Sequence, residues 1–234
     1  MTCLFRRAAH TLKISLEQMM SITKFKYPRT VHLPWSAGVD ADDIRCIDTR
    51  QFIGREVVIT EKMDGENSSL YRHGCHARSL DSVNHPSRDW LKQFHAAIAA
   101  DIPPQWRICG ENLYARHALA YTRLQSYFYG FSIWDEQNIC LSWDDTQLWF
   151  SLLGIVSPRV LYRGPWDEKF IRTLTIDTRQ MEGYVVRLAD AFHYDAFAVS
   201  VAKWVRAGHV QTGKHWMYAE VVANGLAPVT QEAQ

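Results

Sequence analysis

The stretch that decides the fold is Val57-Val58-Ile59-Thr60-Glu61-Lys62-Met63-Asp64-Gly65-Glu66-Asn67. It begins with apolar, β-branched residues, which are typical of a buried strand. A lysine ends this strand, and the Asp64-Gly65 pair predicts a turn into a second strand over residues 68–72. The sequence thus places a lysine at a strand end, beside a carboxylate and a glycine that lets backbone approach a ligand closely.

The rest of the chain alternates between strand and helix patterns. Strands are predicted over residues 106–113, 127–134, 139–141, 182–188 and 197–205, with a shorter one between 156 and 161. Helices are predicted over residues 90–100, 144–153, 167–174 and, closing the domain, within 210–224. Residues 24–39, which hold two prolines, should form an extended arm. This mixture predicts an α+β fold of antiparallel sheets with covering helices, undivided by a linker.

Composition narrows the class of protein. Of 234 residues, 47% are apolar, which predicts a substantial core, and the formal charge of +1 confines any nucleic-acid binding to a local patch. No apolar run reaches membrane-spanning length, so we expect no membrane partner. The cysteines are odd in number and scattered, which favours a reduced, cytoplasmic protein. The segment His73-Gly74-Cys75-His76 is interpreted as a hairpin rather than a metal site.

Lys62 is the candidate nucleophile. A lysine is protonated near neutral pH and attacks only when burial or neighbouring cations lower its pKa. Burial at the end of the strand, with a cationic field from Lys203 and Arg206, is the arrangement we expect. A surface lysine before a hairpin turn is the alternative, and a Lys-x-Asp-Gly match by itself does not exclude it.

Later segments supply complementary chemistry. Glu111 follows an apolar strand and a glycine, where a carboxylate suits ribose hydroxyls. Tyr129 and Phe131 share one face of a strand, and one of them suits stacking on a purine. Glu182 suits a divalent metal with water ligands, and Lys203 suits a phosphate. Taken alone, each of these side chains is more often an ordinary strand residue without a functional role. Together and in this order, they indicate a shared active site.

These motifs resemble those of the covalent nucleotidyltransferases, the superfamily of ATP-dependent DNA ligases, RNA ligases and mRNA-capping enzymes. The matching motifs are Glu61-Lys62-x-Asp64-Gly65-x-Asn67, Tyr129-x-Phe131, Glu182-Gly183-x-Val185-x-Arg187 and Lys203. Asn67, after the Asp-Gly turn, makes the chain look most like an RNA ligase. The resemblance covers about residues 24–216 and implies a nucleotidyltransferase (ATP-grasp-like) domain.

The resemblance also implies roles. Lys62 attacks the α-phosphate of ATP and carries AMP, Asp64 belongs to the same catalytic motif, and Lys203 holds the α-phosphate. Arg78 contacts ribose or the end phosphate, and Glu182 lies near the metal. The implied ATP site comprises these positions: Glu61, Asn67, Arg78, Glu111, Tyr129, Phe131, Glu182, Lys203 and Arg206. Many relatives carry Lys-x-Lys in the last motif, whereas valines stand two residues before and after Lys203, so Arg206 is the candidate second cation.

The implied activity is that of an ATP-dependent RNA ligase that uses Mg²⁺ or Mn²⁺ to join RNA ends bearing a 5′-phosphate and a 3′-hydroxyl. Residues 1–23 are interpreted as an N-terminal extension and residues 24–234 as the catalytic domain, without a complete oligonucleotide-binding barrel. A protein partner could therefore supply extra RNA contacts. A capping-type guanylyltransferase, a DNA ligase, a non-catalytic RNA-binding module and an α+β domain with chance matches remain alternatives.

Overall fold

The computed structural model describes residues 23–39, 43–208 and 220–228. These described residues form two sheets and four α-helices, which confirms the α+β prediction. The predicted N-terminal extension and most of the predicted closing helix lie outside the described residues. Residues 220–224 are described, and they pair with a loop instead of forming a helix.

The first sheet has five strands in the order β1-β11-β9-β2-β8, antiparallel except where β1 meets β11. Its strands are β1 (Val31–His32), β2 (Glu56–Lys62), β8 (Val160–Pro165), β9 (Gly183–Leu188) and β11 (Val201–Val205). The predicted extended arm supplies β1, which pairs with β11 and so anchors the arm to this sheet.

The second sheet has six strands in the order β10-β7-β6-β5-β3-β4, and its pairs are antiparallel. Its strands are β3 (Glu66–Tyr71), β4 (Gly74–Ala77), β5 (Arg107–Asn112), β6 (Phe128–Trp134), β7 (Ile139–Cys140) and β10 (Phe192–His193). Strands β3 and β4 form the hairpin expected around His73, so that segment is structural.

Strand β2, an interior strand of the first sheet, is apolar on both faces because both are covered. Val57, Val58 and Ile59 are fully buried. Val57 and Ile59 belong to the main core with Tyr184, whereas Val58 packs in a separate cluster that includes Trp143. Thr60 and Lys62 continue the Val58 face, which turns toward the second sheet and its cavity.

Helices cover the sheets. They are α1 (Asp89–Ile98), α2 (Trp143–Leu153), α3 (Glu168–Arg172) and α4 (Phe197–Ser200). The second begins one residue before its prediction because the hydroxyl of Ser142 accepts the Asp145 amide at 3.1 Å and caps it. It ends at Gly154, whose φ of +65° is a left-handed cap that favours glycine.

The prediction of one strand over residues 197–205 is wrong in its first half. Phe197–Ser200 is helical, and the strand begins at Val201. A turn at Tyr194–Ala196 leads into the helix, with the His193 side chain accepting the Asp195 amide. Phe197 is buried against Tyr27 and Trp134, so tertiary packing overrides the strand preference of the local sequence. Within the described part of the chain, no helix is long and apolar enough to cross a bilayer.

Candidate active site

A cavity of about 810 Å³ lies between the two sheets. This volume is in the range of small-molecule sites, roughly 300–1,000 Å³. Both sheets contribute to its lining, and seven of the residues singled out in the sequence lie on it: Glu61, Lys62, Asn67, Arg78, Glu111, Phe131 and Lys203. The motifs therefore converge in space although more than 140 positions separate the first from the last.

Lys62 ends β2 opposite Gly183, the first residue of β9. A side chain at Gly183 would place its Cβ 1.9 Å from the carbonyl oxygen of Trp204, so only glycine lets β9 and β11 pair here. That close packing places Glu182 beside Lys62, and its carboxylate accepts a hydrogen bond from the Lys62 ammonium. Glu182 itself is not among the described residues that line the cavity. The two side chains are 23% and 9% exposed, so the ion pair is largely shielded from water.

The charge around Lys62 differs from the prediction. Burial lowers the pKa of its amine, but Glu182, Glu111 and Asp64 raise it by more, so the net pKa lies above the usual value. The nearby acidic residues therefore outweigh the cationic field that was expected from Lys203 and Arg206. Arg206 is not among the described residues lining the cavity, and its backbone amide donates to the Glu182 carbonyl at 3.0 Å. Lys62 is thus an ammonium held by the Glu182 carboxylate.

Glu111 lies in β5, directly between Asn67 on one neighbouring strand and Tyr129 on the other. Burial, opposed by Lys62 but reinforced by Glu182 and Asp64, raises the pKa of its carboxyl to about 8. The group therefore carries a proton at neutral pH. A neutral carboxyl both donates and accepts hydrogen bonds, which suits a ribose hydroxyl.

Replacing Glu111 with glutamine should stabilise the protein at high pH only. The folded-state pKa of this carboxyl lies above its unfolded value, so its favourable contribution is present at low pH and is lost as pH rises toward and through 8. Glutamine stays neutral throughout. We expect the Tm of Glu111→Gln to exceed that of wild type by about 5 °C at pH 9 and to match it near pH 5. Equal differences at both pH values would contradict this assignment of charge.

Asp64 connects the segment that carries Lys62 to a distant loop. Its carboxylate accepts the Leu119 amide at 2.7 Å, and its own amide donates to the Tyr121 hydroxyl at 3.0 Å. Burial and the neighbouring Glu182 raise the pKa of Asp64. Gly65 then turns the chain so tightly against β5 that a Cβ there would lie 2.5 Å from the Asn112 carbonyl. Asp64 therefore shapes the surroundings of Lys62 through charge and through its hold on the loop.

Cations lie elsewhere on the cavity wall. Burial lowers the pKa of Lys203, Asp43 opposes this and Lys62 lowers it further. The Lys203 ammonium is 3.5 Å from Asp43, whose other oxygen is 2.9 Å from the His32 ring. The Nε and Nη2 atoms of Arg78 are buried and have no hydrogen-bond partner among the described residues. Unsatisfied guanidinium donors on a cavity wall suit an anionic ligand.

Of the two aromatic candidates for base stacking, Phe131 lies on the cavity and Tyr129 does not line it. A bulge in β6 opposite Cys109 and Gly110 places Phe131 on the cavity, with its ring 5.2 Å from that of Tyr27 and edge-on to it. Tyr129 instead packs in a hydrophobic cluster with Met63, and its hydroxyl accepts the Gln125 amide at 3.0 Å. Phe131 is therefore the candidate for base stacking, and Tyr129 is not among the described cavity residues.

Two motif residues border the nucleophile. Asn67 has a buried side-chain oxygen without a hydrogen-bond partner in the described structure, so a ligand donor would satisfy it. The Glu61 carboxylate lies 3.5 Å from the Nε of Arg159. Burial raises the pKa of Glu61, and the exposed Arg159 only partly offsets this effect. Both residues are placed to contact a nucleotide.

Several cavity residues were not anticipated. Tyr27 comes from the extended arm, His117 from a loop, and Arg187 from β9, where it donates to the Leu141 carbonyl at 2.7 Å. Arg187 stands in the Glu-Gly-x-Val-x-Arg motif and could have been selected from it. Nothing in the local sequence marks Tyr27 or His117, which reach the site only through tertiary packing.

No cluster of three or more histidines, cysteines or acidic residues suited to a metal occurs within residues 23–39, 43–208 and 220–228. This finding does not conflict with a magnesium-type site. Mg²⁺ is commonly held by one or two carboxylates together with water and substrate phosphates. Glu182, with Asp64 nearby, supplies that donor set.

Comparisons with solved structures show a likeness in fold. An archaeal ATP-dependent RNA ligase superposes with a TM-score of 0.52 at 16% identity, over 80% of this chain and 49% of that one. A Naegleria gruberi RNA ligase variant with ATP and Mn superposes with a TM-score of 0.50 at 13% identity, over 82% of this chain and 65% of that one. At such identities the likeness concerns the fold alone, and the chain spans about half to two thirds of these ligases.

Comparisons of the sequence identify the family. No curated protein sequence matches the chain. The family model described as RNA ligase matches residues 55–205, a span that runs from β2 to the end of β11 and holds Lys62, Glu111, Glu182 and Lys203. Because this match extends over more than half of the sequence, the chain belongs to the RNA ligase family.

Proposed function

We propose that this protein is an ATP-dependent RNA ligase that joins a 3′-hydroxyl to a 5′-phosphate through a lysyl-AMP on Lys62. One observation carries the proposal. The Lys62 amine is enclosed in a nucleotide-sized cavity, next to the carboxylates of Glu182, Glu111 and Asp64, with Lys203 and Arg78 also on the wall. Membership of the RNA ligase family supports the same conclusion.

The cavity residues divide according to the parts of ATP. Phe131 and Tyr27 offer aromatic surface to adenine, with Glu61 nearby. The protonated Glu111 suits the ribose hydroxyls. Lys203 suits the α-phosphate. A divalent Mg²⁺ or Mn²⁺ held at Glu182 supplies positive charge that offsets the carboxylate and the phosphates.

The reaction has three displacements at phosphorus. The Lys62 nitrogen bonds to the α-phosphorus, the bond to the bridging oxygen breaks, and pyrophosphate leaves while the ammonium loses two protons to solvent. A 5′-phosphate oxygen of RNA then bonds to the same phosphorus, and Lys62 leaves and regains two protons. Finally the RNA 3′-hydroxyl attacks the adenylated 5′-phosphate, loses its proton, and AMP leaves.

The enzyme must therefore change the charge state of Lys62. Its ammonium is stabilised by Glu182 and Asp64, and an ammonium has no lone pair with which to attack. The triphosphate of ATP is anionic and by itself would favour the ammonium still more. A divalent cation held at Glu182 would offset this negative charge and so favour the neutral amine that attacks.

A labelling assay tests the proposal. The protein is incubated with each of the four nucleoside triphosphates labelled at the α-phosphate, and the adduct is detected by denaturing electrophoresis and then chased with 5′-phosphorylated RNA. An ATP-specific adduct that the RNA discharges with sealing is the expected result. Preference for GTP would indicate a capping-type guanylyltransferase, preference for nicked DNA a DNA ligase, and the lack of any adduct a non-catalytic binding module.

Reversing the charge of Arg78 should impair sealing more than self-adenylylation. Its two unsatisfied donors suit the 5′-phosphate of RNA, which enters only after the lysyl-AMP has formed. We expect Arg78→Glu to slow sealing of pre-adenylylated protein by about 50-fold or more, the worth of one charge-assisted contact, and to slow adduct formation only a few-fold. The matched control is Lys169→Glu, an exposed charge reversal on α3. Equal losses in both steps would refute a contact with the RNA end.

We also infer that the chain works in the reducing cytoplasm. The four cysteines of the described residues, Cys46, Cys75, Cys109 and Cys140, are unpaired, which supports this location. A protein partner that supplies extra RNA contacts remains part of the proposal.

A further inference from the structure

Residues 220–228 pair with a loop that contacts Asp64, close to Lys62. The 113–127 loop has no helix or strand of its own, and loops of this length are often functional. Isolated bridges join it to the later segment at Ala115 with Ala223 and at Leu124 with Leu226. Five backbone hydrogen bonds of 2.8–2.9 Å, including those of the two bridges, connect the two segments, so the later one acts as a clasp.

Asn224 is the centre of this clasp and is only 5% exposed. Its side-chain nitrogen donates to the carbonyls of Leu113 at 2.8 Å and Ala115 at 3.4 Å, at the start of the loop. Its side-chain oxygen accepts the Tyr121 amide at 2.9 Å, and its carbonyl accepts the Tyr127 hydroxyl at 2.9 Å. One buried amide therefore ties the beginning of the loop to its return.

The clasped loop acts on Asp64, two residues from the nucleophile. The Leu119 amide donates to the Asp64 carboxylate, and the Tyr121 hydroxyl accepts the Asp64 amide. Asp64 stands two residues after Lys62, at the turn between β2 and β3, so the two loop contacts fix both the backbone and the carboxylate at this turn. The same loop carries His117 onto the cavity wall.

We propose that Asn224 is a positioning residue for nucleotidyl transfer: it holds the 113–127 loop so that Leu119 and Tyr121 fix Asp64 beside Lys62. This inference rests on the proposed function, in which Lys62 accepts the nucleotide. Phe131, Glu111 and Lys203 stand on sheet strands and do not depend on the clasp. Loss of Asn224 should therefore slow the chemical step while leaving nucleotide binding nearly intact, because a displaced reacting group lowers rate more than affinity.

The test compares wild type with Asn224→Ala, Tyr121→Phe and the double variant. The matched control is Thr146→Val, which removes another buried hydrogen bond, from Thr146 to the Ser142 carbonyl in α2. Single-turnover adduct formation at saturating ATP gives the rate, calorimetric titration gives ATP affinity, and hydrogen exchange of the Leu119 amide reports the loop contact. We expect Asn224→Ala to lose at least about tenfold in rate, to keep ATP affinity within about threefold, and to exchange Leu119 faster.

The double-mutant cycle decides whether Asn224 acts through the loop. Because Tyr121 links the clasp to Asp64, we expect the rate effects of Asn224→Ala and Tyr121→Phe to be non-additive. Additive effects, an unchanged rate, or an equal rate loss in Thr146→Val would overturn the inference. If Asn224→Ala does not fold, Asn224→Asp decides, since it keeps the acceptor for Tyr121 and loses both amide donations. An absence of adduct in wild type would instead refute the proposed function.

Discussion

Replacing Lys62 with alanine is expected to abolish the protein–AMP adduct. The amine is the group placed to bond the α-phosphorus, and its loss leaves the cavity without the nitrogen on which the intermediate forms. We expect the labelling rate with α-labelled ATP to fall by at least about 10³-fold, below detection on denaturing gels. Retained label on Lys62→Ala would show that another residue is the nucleophile.

Lys62→Arg keeps the positive charge at this position but removes the nucleophilic amine. Arginine preserves a cation for Glu182, so the ion pair and the fold should survive, but a guanidinium does not deprotonate in proteins and cannot attack. We expect this variant to bind ATP and to form no adduct. Comparison with Lys62→Arg would show whether Lys62→Ala lost the adduct because the protein unfolded. Lys169→Ala, on the exposed face of α3, should label like wild type.

The elements that local pattern specifies were predictable. The run from Val57 to Ile59 is apolar because both faces of β2 are covered, and the Asp64-Gly65 turn carries its own chemistry. These features depend on residues that are adjacent along the chain, so they can be predicted from the sequence. The positions of Glu111, Phe131 and Lys203 on the cavity were equally accessible, because each lies on a predicted strand in a recognisable motif.

What escaped prediction depends on distant contacts. Phe197 forms a helical turn because Tyr27 and Trp134 bury it, and neither is near it in sequence. Asn224 reaches across about a hundred positions to the 113–127 loop. The raised pKa of Lys62 likewise follows from carboxylates brought in by three separate segments. Charge state is a property of the assembled cavity, so a motif that names the lysine does not reveal it.

The Lys62–Glu182 ion pair leads to the second large effect. Substituting glutamine for Glu182 should slow adduct formation by roughly 100-fold and raise the metal concentration needed for half-maximal rate. The carboxylate is the best-placed anionic oxygen for a divalent cation beside the nucleophile, and an uncharged amide binds such a cation far more weakly. The measurement is the initial rate of labelling as a function of Mg²⁺ and Mn²⁺ concentration.

The same substitution should shift the pH dependence in a direction that a simple loss of fold cannot produce. Glu182 raises the pKa of Lys62, so removing its charge lets the amine lose its proton at lower pH. The residual rate of Glu182→Gln should therefore reach its plateau at a lower pH than the wild-type rate does. The exposed Glu136→Gln should leave both profiles unchanged. An unaltered metal requirement together with an unshifted pH profile would remove Glu182 from the reaction and reduce its contact with Lys62 to a structural ion pair.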